Sequence, residues 1–329
     1  MASVYALVSL LDPLKIKGIT LRNRIVMPPM QSGRASLQGE VTSRVINFYS
    51  RRSAWLGLPI VEHAYVSASG KIGPKQLGIY DDSLISGLEK LASAIHSVGA
   101  PAIVQISHAG GVANKKIIGT TPAGPSATGK TRMLEKSELP LIAEEYALAA
   151  ERAVKSGFDG VELHGAHGYL LNQFFTPLLN KRDDEFGGSL ENRMRFPLLV
   201  VEKVKRCLSG KVLLYRVGSD DLAPMGTKIE DAVEFALKLE ASGVDILDVS
   251  GGMCGSEPKQ LRQIQGYFVP QAQQIKKVVK VPVIGVGGIV EAEFADKLVR
   301  EGCVDLVAVG RALWHDAEWA EKAVEKLAK

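Results

Sequence analysis

Two imidazoles and a phenol lie within six residues of one another, at the end of an apolar run. His164, His167 and Tyr169 directly follow residues 160–163, which have the composition of a buried strand. An imidazole N–H can hold an electron-rich oxygen, and a phenol can deliver a proton beside it. The spacing therefore predicts a site that binds a polarised oxygen of a small molecule and protonates a neighbouring atom.

Two polar side chains interrupt other apolar runs. Gln105 lies within residues 104–108, and Arg216 lies within residues 214–218. A buried arginine is costly unless a negative group faces it, either a carboxylate of the protein or a ligand ring that becomes anionic. A side-chain amide can donate to and accept from the edge of a heterocycle at once. Together the two residues favour a heterocyclic ligand.

Glycines cluster towards the end of the chain in two turns that lead into helical patterns. One turn contains Gly287 and Gly288, and the other contains Gly310 and Arg311. Such glycines let backbone N–H groups approach a phosphate, and helix N-termini favour the anion. We therefore predict a phosphate-bearing ligand here. The alternatives are that the glycines only permit tight turns and that Arg311 forms a structural ion pair.

Other chemistries have less support in the sequence. The three cysteines form no C-x-x-C pair, which argues against a zinc knuckle or a cysteine-ligated iron–sulfur cluster. A metal hydrolase using the two site histidines remains an alternative, but the chain has no H-E-x-x-H motif. We expect no metal. His63 and His108 are expected to be buried histidines that support the site.

Apolar, β-branched runs recur along the chain with amphipathic helical patterns between them. Eight runs are predicted to be strands: residues 25–28, 59–66, 102–107, 160–164, 212–218, 246–250, 283–286 and 306–310. The predicted helices cover residues 44–56, 84–98, 141–155, 194–208, 230–241, 269–278, 291–300 and 318–328.

The strands are nearly continuous apolar runs, which is typical of parallel strands buried on both faces. Eight strand–helix units predict a single-domain (β/α)8 TIM barrel over residues 1–329, with residues 14–24 forming a hairpin that closes the barrel floor. A doubly wound sheet is the alternative, but it needs a G-x-G-x-x-G turn after the first strand, and residues 27–33 do not provide one. In a barrel, the polar residues at the strand ends would converge on one mouth.

Charge and hydropathy restrict the partners of this protein. The net charge is only +4 and the basic residues are dispersed, so we expect no nucleic-acid binding. The apolar runs are too short to span a membrane. The apolar N-terminus lacks a basic region and a small-residue cleavage site, so it is not interpreted as a signal peptide, and a cytoplasmic protein is expected.

Residues 157–193, GFDGVELHGAHGYLLNQFFTPLLNKRDDEFGGSLENR, resemble the central motif of the old yellow enzyme family of flavin-dependent ene-reductases. Residues 23–27, 105–110, 286–288 and 310–311 also match, in the right order. The resemblance covers residues 11–326 and is to the compact bacterial and archaeal branch of the family.

The resemblance implies FMN at the barrel mouth and NADPH or NADH as the reductant. By similarity the cofactor-binding residues are Pro29, Met30, Gln31, His63, Gln105, Arg216, Gly287, Gly288, Gly310 and Arg311. His164 and His167 would bind the activating oxygen of an α,β-unsaturated carbonyl or nitro compound, so that the hydride arrives at the β-carbon. Tyr169 would give a proton to the α-carbon. A homo-oligomer is expected.

Three features depart from the family's pattern. Gln31 stands where the family often has cysteine or threonine beside the flavin, which bears on the flavin potential and on any thiol-based regulation. His63 stands where a small residue is frequent, so the pocket is either narrower or has an added donor. The chain also lacks the cysteine cluster and the extra nucleotide domains of long relatives, so electrons are expected directly from NAD(P)H. The loops 115–134 and 253–266 are expected to shape substrate choice.

Two other functions remain open at this point. A phosphate-binding barrel isomerase or lyase could use His164 and His167 for acid–base chemistry. A flavin-binding protein without alkene chemistry is the other alternative, although mere flavin storage requires neither histidine nor Tyr169. The colour of the purified protein separates the flavoprotein from the lyase.

Overall fold

The computed structural model describes residues 8–329 and contains eight parallel strands that close into a barrel. Each barrel strand pairs with the barrel strands before and after it in the chain, and the last pairs with the first. The strands are β1 (Leu14–Ile16), β2 (Ile19–Leu21), β3 (Ile25–Met27), β4 (Leu58–Tyr65), β5 (Ile103–Ser107), β6 (Ala123–Gly124), β7 (Arg132–Met133), β8 (Gly160–Gly165), β9 (Val212–Gly218), β10 (Ile246–Ser250), β11 (Val283–Val286) and β12 (Leu306–Ala308). The barrel consists of β3 to β5 and β8 to β12, which confirms the predicted (β/α)8 fold.

Helices surround the barrel. They are α1 (Ser43–Ser53), α2 (Ile85–His96), α3 (Lys115–Ile118), α4 (Leu139–Lys155), α5 (Leu170–Phe175), α6 (Leu190–Cys207), α7 (Ile229–Ala241), α8 (Val269–Lys276), α9 (Ala292–Arg300), α10 (Arg311–His315) and α11 (Trp319–Leu327). The eight predicted helices are all present, with ends shifted by a few residues. The sequence did not predict α3, α5 and α10 as helices, because elements of four to six residues are too short to show a helical period. Within residues 8–329 no helix is long and apolar enough to cross a bilayer.

Local chemistry explains where several helices begin and end. The hydroxyls of Thr42 and Ser189 accept hydrogen bonds from backbone N–H groups in the first turns of α1 and α6. Gly157 and Gly243, two residues beyond α4 and α7, have positive φ angles of 82° and 87°. Glycine adopts this left-handed conformation without steric cost, so the chain can turn directly into the next strand.

The N-terminal hairpin closes the floor of the barrel. β1 and β2 pair in antiparallel register, with Leu14 opposite Leu21. Ile16 and Leu21 belong to the same apolar cluster as Ile103 and Ile246, which begin β5 and β10. This cluster inside the strands is separate from the larger core between the strands and the helices. Burying both clusters removes most of the apolar surface from water, which is the main stabilising contribution.

Alternation along the strands creates a polar layer above this apolar floor. Since every second side chain of a strand faces the interior, β9 directs Val212, Leu214 and Arg216 inwards. In the strand register, Arg216 lies between His164 on β8 and Asp248 on β10. The barrel interior therefore changes from aliphatic at the floor to polar towards the mouth, where the charged pair and His164 share one level of the register.

Candidate active site

A cavity of about 520 Å³ opens at the carboxyl ends of the barrel strands. All the predicted site residues except Gly287 line it. Nine other residues line the cavity but were not among the predicted catalytic, substrate-binding or cofactor-binding residues: Pro28, Ser250, Gly255, Ser256, Glu257, Tyr267, Val286, Ile289 and Val290. Ser250 ends a predicted strand, so the signal was available for that residue. Gly255, Ser256, Glu257 and Tyr267 lie in or beside the irregular loop 253–266, which was expected only to shape substrate choice.

The imidazole and phenol rings form one cluster at the mouth. The ring centroid of His164 lies 5.1 Å from that of His167 and 4.4 Å from that of Tyr169. The turn that brings them together is unusual, because His167 and Gly168 both have positive φ, at 56° and 76°. A residue with a Cβ adopts this conformation at a cost, which is typical of functional sites.

Burial keeps the histidines of this cluster uncharged. It lowers the pKa of His164 and of His167 well below the ordinary value, and the nearby Arg216 guanidinium lowers both further. Burial raises the pKa of Tyr169. At neutral pH the cluster therefore presents neutral imidazoles and a protonated phenol, which are hydrogen-bond donors with no net charge.

A hydrogen bond from β10, the second strand along the barrel from β8, holds His167. Its Nε2 lies 2.8 Å from the hydroxyl oxygen of Ser250 at the end of β10. The serine hydroxyl can either donate or accept, so it adapts to whichever ring nitrogen carries the proton. Ser250 thus orients the ring of His167 and lines the cavity beside it.

Arg216, level with His164 in the strand register, has a buried carboxylate as its partner. Its Nε is 3.0 Å from Oδ2 of Asp248, and both side chains are at most 5% exposed. The contact is an ion pair without hydrogen-bond geometry, so neither atom has a hydrogen-bond partner among the described residues. Of the two partners that the sequence left open for Arg216, the carboxylate is therefore present. The guanidinium also lines the cavity.

Gln105 and Glu162 form a second buried polar pair in this layer. The Nε2 of Gln105 donates to Oε1 of Glu162 over 2.7 Å. Burial, reinforced by the charge of Asp248, raises the pKa of Glu162 well above its ordinary range. Burial also raises the pKa of Asp248, and the Arg216 guanidinium opposes that rise. The layer therefore contains one arginine and two buried carboxyl groups that are protonated more readily than in water.

Another part of the cavity wall is rich in glycine and includes one exposed arginine. Gly288, Gly310 and Arg311 line it. A Cβ on Gly288 would come within 3.1 Å of Nη2 of Arg311, so glycine leaves the space beside the guanidinium free. Arg311 pairs with the carboxylate of Glu257 from the loop 253–266. The residues predicted to bind phosphate thus lie together, facing a carboxylate of the protein itself.

Gly287 lies behind this surface. Its carbonyl accepts hydrogen bonds from the backbone N–H groups of Gly266 and Tyr267. A Cβ at this position would lie 2.7 Å from the backbone nitrogen of Tyr267, so only glycine fits. Gly287 therefore shapes the turn that presents Gly288, although it does not itself line the cavity.

His108 and the loop 115–134 lie away from the cavity. Nδ1 of His108 accepts a hydrogen bond from the Gly110 N–H, and its Nε2 contacts the Ser69 hydroxyl, as expected for a supporting histidine. Among the described residues, none from the loop 115–134 lines the cavity at the barrel mouth. That loop instead borders a separate cavity of about 440 Å³ together with His108.

The residues of the cavity at the barrel mouth fit FMN. The volume lies in the range of about 300–1,000 Å³ typical of ligand sites. One end offers Arg216 and Gln105 to a polar ring edge, and the other offers glycines and Arg311 to a phosphate. Nδ1 of His164 is buried without a hydrogen-bond partner among residues 8–329, so the protein leaves polar groups of the site for a ligand or water to satisfy.

Two curated bacterial proteins are similar to this chain in sequence. The "NADPH dehydrogenase" of Geobacillus is 36% identical over 97% of this chain and 94% of its own length. The "NADH oxidase" of Thermoanaerobacter brockii is 42% identical over 94% of this chain, and the match covers 50% of that relative. The chain thus spans about half the length of one relative and nearly all of the other.

Solved structures share the fold. Morphinone reductase superposes with a TM-score of 0.87 at 27% identity, covering 98% of this chain and 91% of that one. The old yellow enzyme homologue from Zymomonas mobilis gives a TM-score of 0.85 at 27% identity, covering 97% and 93%. A sequence profile of the NADH:flavin oxidoreductase / NADH oxidase family matches residues 9–329. The chain therefore belongs to the NADH:flavin oxidoreductase / NADH oxidase family, which confirms its resemblance to the old yellow enzymes.

Proposed function

We propose that this protein uses NADPH or NADH to reduce activated alkenes, namely α,β-unsaturated carbonyl or nitro compounds, with FMN as its cofactor. The observation that carries the proposal is the cluster of His164, His167 and Tyr169 at the mouth of a cavity that Arg216 also lines. The name of one relative agrees: the "NADH:acrylate oxidoreductase" of Vibrio harveyi is 37% identical over 93% of this chain and 32% of its own length.

His164 and His167 bind the activating oxygen in this proposal. Both imidazoles are neutral, so each keeps one N–H to donate. Donation to a carbonyl or nitro oxygen withdraws charge from the conjugated double bond and stabilises the negative charge that develops on that oxygen. Ser250 restricts the rotation of the His167 ring, so the donor is already oriented when the substrate arrives.

Tyr169 is the proton donor to the α-carbon. Burial raises the pKa of its phenol, so the group remains protonated at neutral pH. Its ring is tilted by 32° to that of His164, with centroids 4.4 Å apart, so a bound substrate touches both residues.

Several of the other lining residues would hold the cofactor. Bound FMN supplies the two-electron chemistry that links the nicotinamide to the alkene. Arg216 keeps a permanent positive charge beside the cavity, and Gln105 offers an amide there. The proposed phosphate subsite is formed by Gly288, Gly310 and Arg311, with Gly287 shaping the turn. Pro29, Met30 and Gln31 border the same cavity.

An anaerobic absorption spectrum of the purified protein tests the proposal. The visible band of oxidised flavin should disappear when NADPH or NADH is added and return when 2-cyclohexen-1-one follows. Comparing the two nicotinamides shows which one is preferred. Loss of the band without its return would contradict alkene reduction. No band, even after incubation with FMN, would exclude the flavoprotein and favour the phosphate-binding isomerase or lyase.

A further inference from the structure

One imidazole of the cavity takes no part in the steps proposed above, although the resemblance to the family predicts that it borders the cofactor. His63 is buried on β4 and lines the cavity. Its ring centroid lies 5.2 Å from that of Tyr169 and 5.9 Å from that of His164, and it stands edge-on to both rings. His63 therefore borders the same substrate space as these two residues.

A buried amide determines which nitrogen of His63 carries the proton. Oε1 of Gln76, a fully buried side chain, accepts from the backbone N–H of Ile72 over 2.9 Å. Nε2 of Gln76 is 3.2 Å from the backbone carbonyl oxygen of His63, which can only accept. These two backbone partners identify the oxygen and the nitrogen of the amide without ambiguity.

The same Nε2 of Gln76 lies 3.1 Å from Nδ1 of His63. An amide nitrogen only donates, so Nδ1 of His63 must be the acceptor and carries no hydrogen. The Ser107 hydroxyl, also 3.1 Å from Nδ1, adds a second contact on that edge. Burial lowers the pKa of His63 to about 4, so the ring is neutral. Its single proton is therefore on Nε2, which has no hydrogen-bond partner among the described residues.

We propose that the Nε2–H of His63 is a third imidazole donor of the substrate site, which favours alkenes activated by a group with two acceptor oxygens, such as nitro, over those activated by a single carbonyl oxygen. This inference rests on the proposed function. Two donors, from His164 and His167, saturate the two lone pairs of one carbonyl oxygen. The donor of His63 then loses its water without gaining a partner, which is unfavourable. A second substrate oxygen satisfies it.

Matched substitutions of His63 show whether the residue acts as a hydrogen-bond donor or only fills space in the pocket. His63→Phe keeps a ring without a donor. In His63→Gln the amide nitrogen can reach the position of the imidazole Nε2, whereas the shorter side chain of His63→Asn reaches only the position of Nδ1. The substrates 1-nitrocyclohexene and 2-cyclohexen-1-one share a six-membered ring and differ in the number of activating oxygens.

The quantity to measure is the ratio of kcat/KM for the nitroalkene to that for the enone. We expect the ratio to fall about tenfold in His63→Phe and His63→Asn, equivalent to about 1.4 kcal/mol, and to stay near the wild-type value in His63→Gln. In the oxidised holoenzyme, the change in flavin absorbance measures the Kd of nitrocyclohexane and the Kd of cyclohexanone. The first Kd divided by the second should rise in His63→Phe and His63→Asn.

An unchanged ratio in both His63→Phe and His63→Asn would overturn the inference. A ratio that falls equally in His63→Gln would also overturn it, since the donor would not be the cause. If His63→Phe does not fold or loses FMN, the comparison of the Asn and Gln variants decides alone. If the wild type reduces neither alkene, the proposed function fails, and the Kd ratios of the saturated ligands still decide the role of His63.

Discussion

Arg216 and Asp248 form an ion pair inside the barrel, with Nε and Oδ2 3.0 Å apart and both side chains almost fully buried. In the strand register, the pair is level with His164 of the imidazole cluster. It neutralises a charge that would otherwise be very costly to bury, and it keeps a guanidinium beside the ligand cavity.

Replacing the carboxyl groups near Arg216 should destabilise the fold non-additively. In Asp248→Asn, Glu162 remains close enough to ionise and partly compensate, because the charge of Asp248 contributes to its raised pKa. The double variant with Glu162→Gln leaves Arg216 without a nearby carboxylate, so we expect a loss of about 3–5 kcal/mol in the free energy of unfolding.

Urea denaturation of the two single variants and the double variant measures this coupling. The double variant should lose about 0.5–3 kcal/mol more than the sum of the single variants. Glu318→Gln, which removes one partner of an exposed pair with Lys322, is the control and should change stability by less than about 1 kcal/mol. Strict additivity would show that Glu162 does not compensate for Asp248.

Removal of the Tyr169 hydroxyl should affect only one half of the reaction. Tyr169→Phe removes the proposed proton donor, so reduction of 2-cyclohexen-1-one should slow by about a hundredfold or more. Rapid mixing with NADPH or NADH should show little change in the rate of flavin reduction, because that step needs no proton from Tyr169. An equal loss in both steps would exclude the assigned role and point to damage of the whole pocket.

Stability should depend on pH through Glu62. Burial raises the pKa of this carboxyl to about 7, although the backbone N–H of Ser32 donates to its Oε2 over 3.0 Å. The pKa in the unfolded chain is about 4.3, so the folded state binds the proton more tightly. The protonated carboxyl group therefore stabilises the folded state fully below about pH 4.3, and this stabilisation is lost as the pH rises through 7.

Comparison with Glu62→Gln isolates this contribution from the other carboxyl groups. The stability of the wild type relative to the variant should fall by about 3 kcal/mol between pH 4 and pH 8, at 1.36 kcal/mol for each unit of pKa difference. Urea denaturation at several pH values measures it. A difference that does not vary with pH would mean that Glu62 titrates normally in the folded protein.

The affinity for FMN should depend on Arg311 and Glu257 in opposite directions. Arg311→Gln removes a cation that could bind the phosphate, and a charged hydrogen bond of about 1.5–3 kcal/mol corresponds to a loss of about tenfold to 150-fold in affinity. Glu257→Gln removes the carboxylate that now pairs with Arg311, so it should strengthen FMN binding.

Riboflavin, which lacks the phosphate, is the control ligand for both variants. Titration of the apoprotein with each flavin, followed by the quenching of flavin fluorescence, should show changes for FMN and almost none for riboflavin. If both variants change the affinity for the two flavins equally, then Arg311 does not contact the phosphate.

Much of the fold was predictable because its signals are local. A buried parallel strand must be apolar along its length, and each helix between strands must have one apolar face, so eight strands and eight helices were visible as patterns. Short elements such as α5 and α10 contain too few residues to show a period. Their positions depend on contacts made by the folded barrel.

Parallel strands that close into a barrel bring their carboxyl ends together, so the order of strands was enough to predict that Gln105, His164 and Arg216 meet at the mouth. The folded structure alone shows the partners of these side chains: Asp248 for Arg216, Ser250 for His167, and Gln76 for His63. It also decided that Gly287 lies behind the surface that Gly288 presents. These outcomes depend on strand register and side-chain direction between residues that are as many as 83 positions apart. Hydrogen-bond geometry tolerates errors of only a few tenths of an ångström, which no sequence pattern specifies.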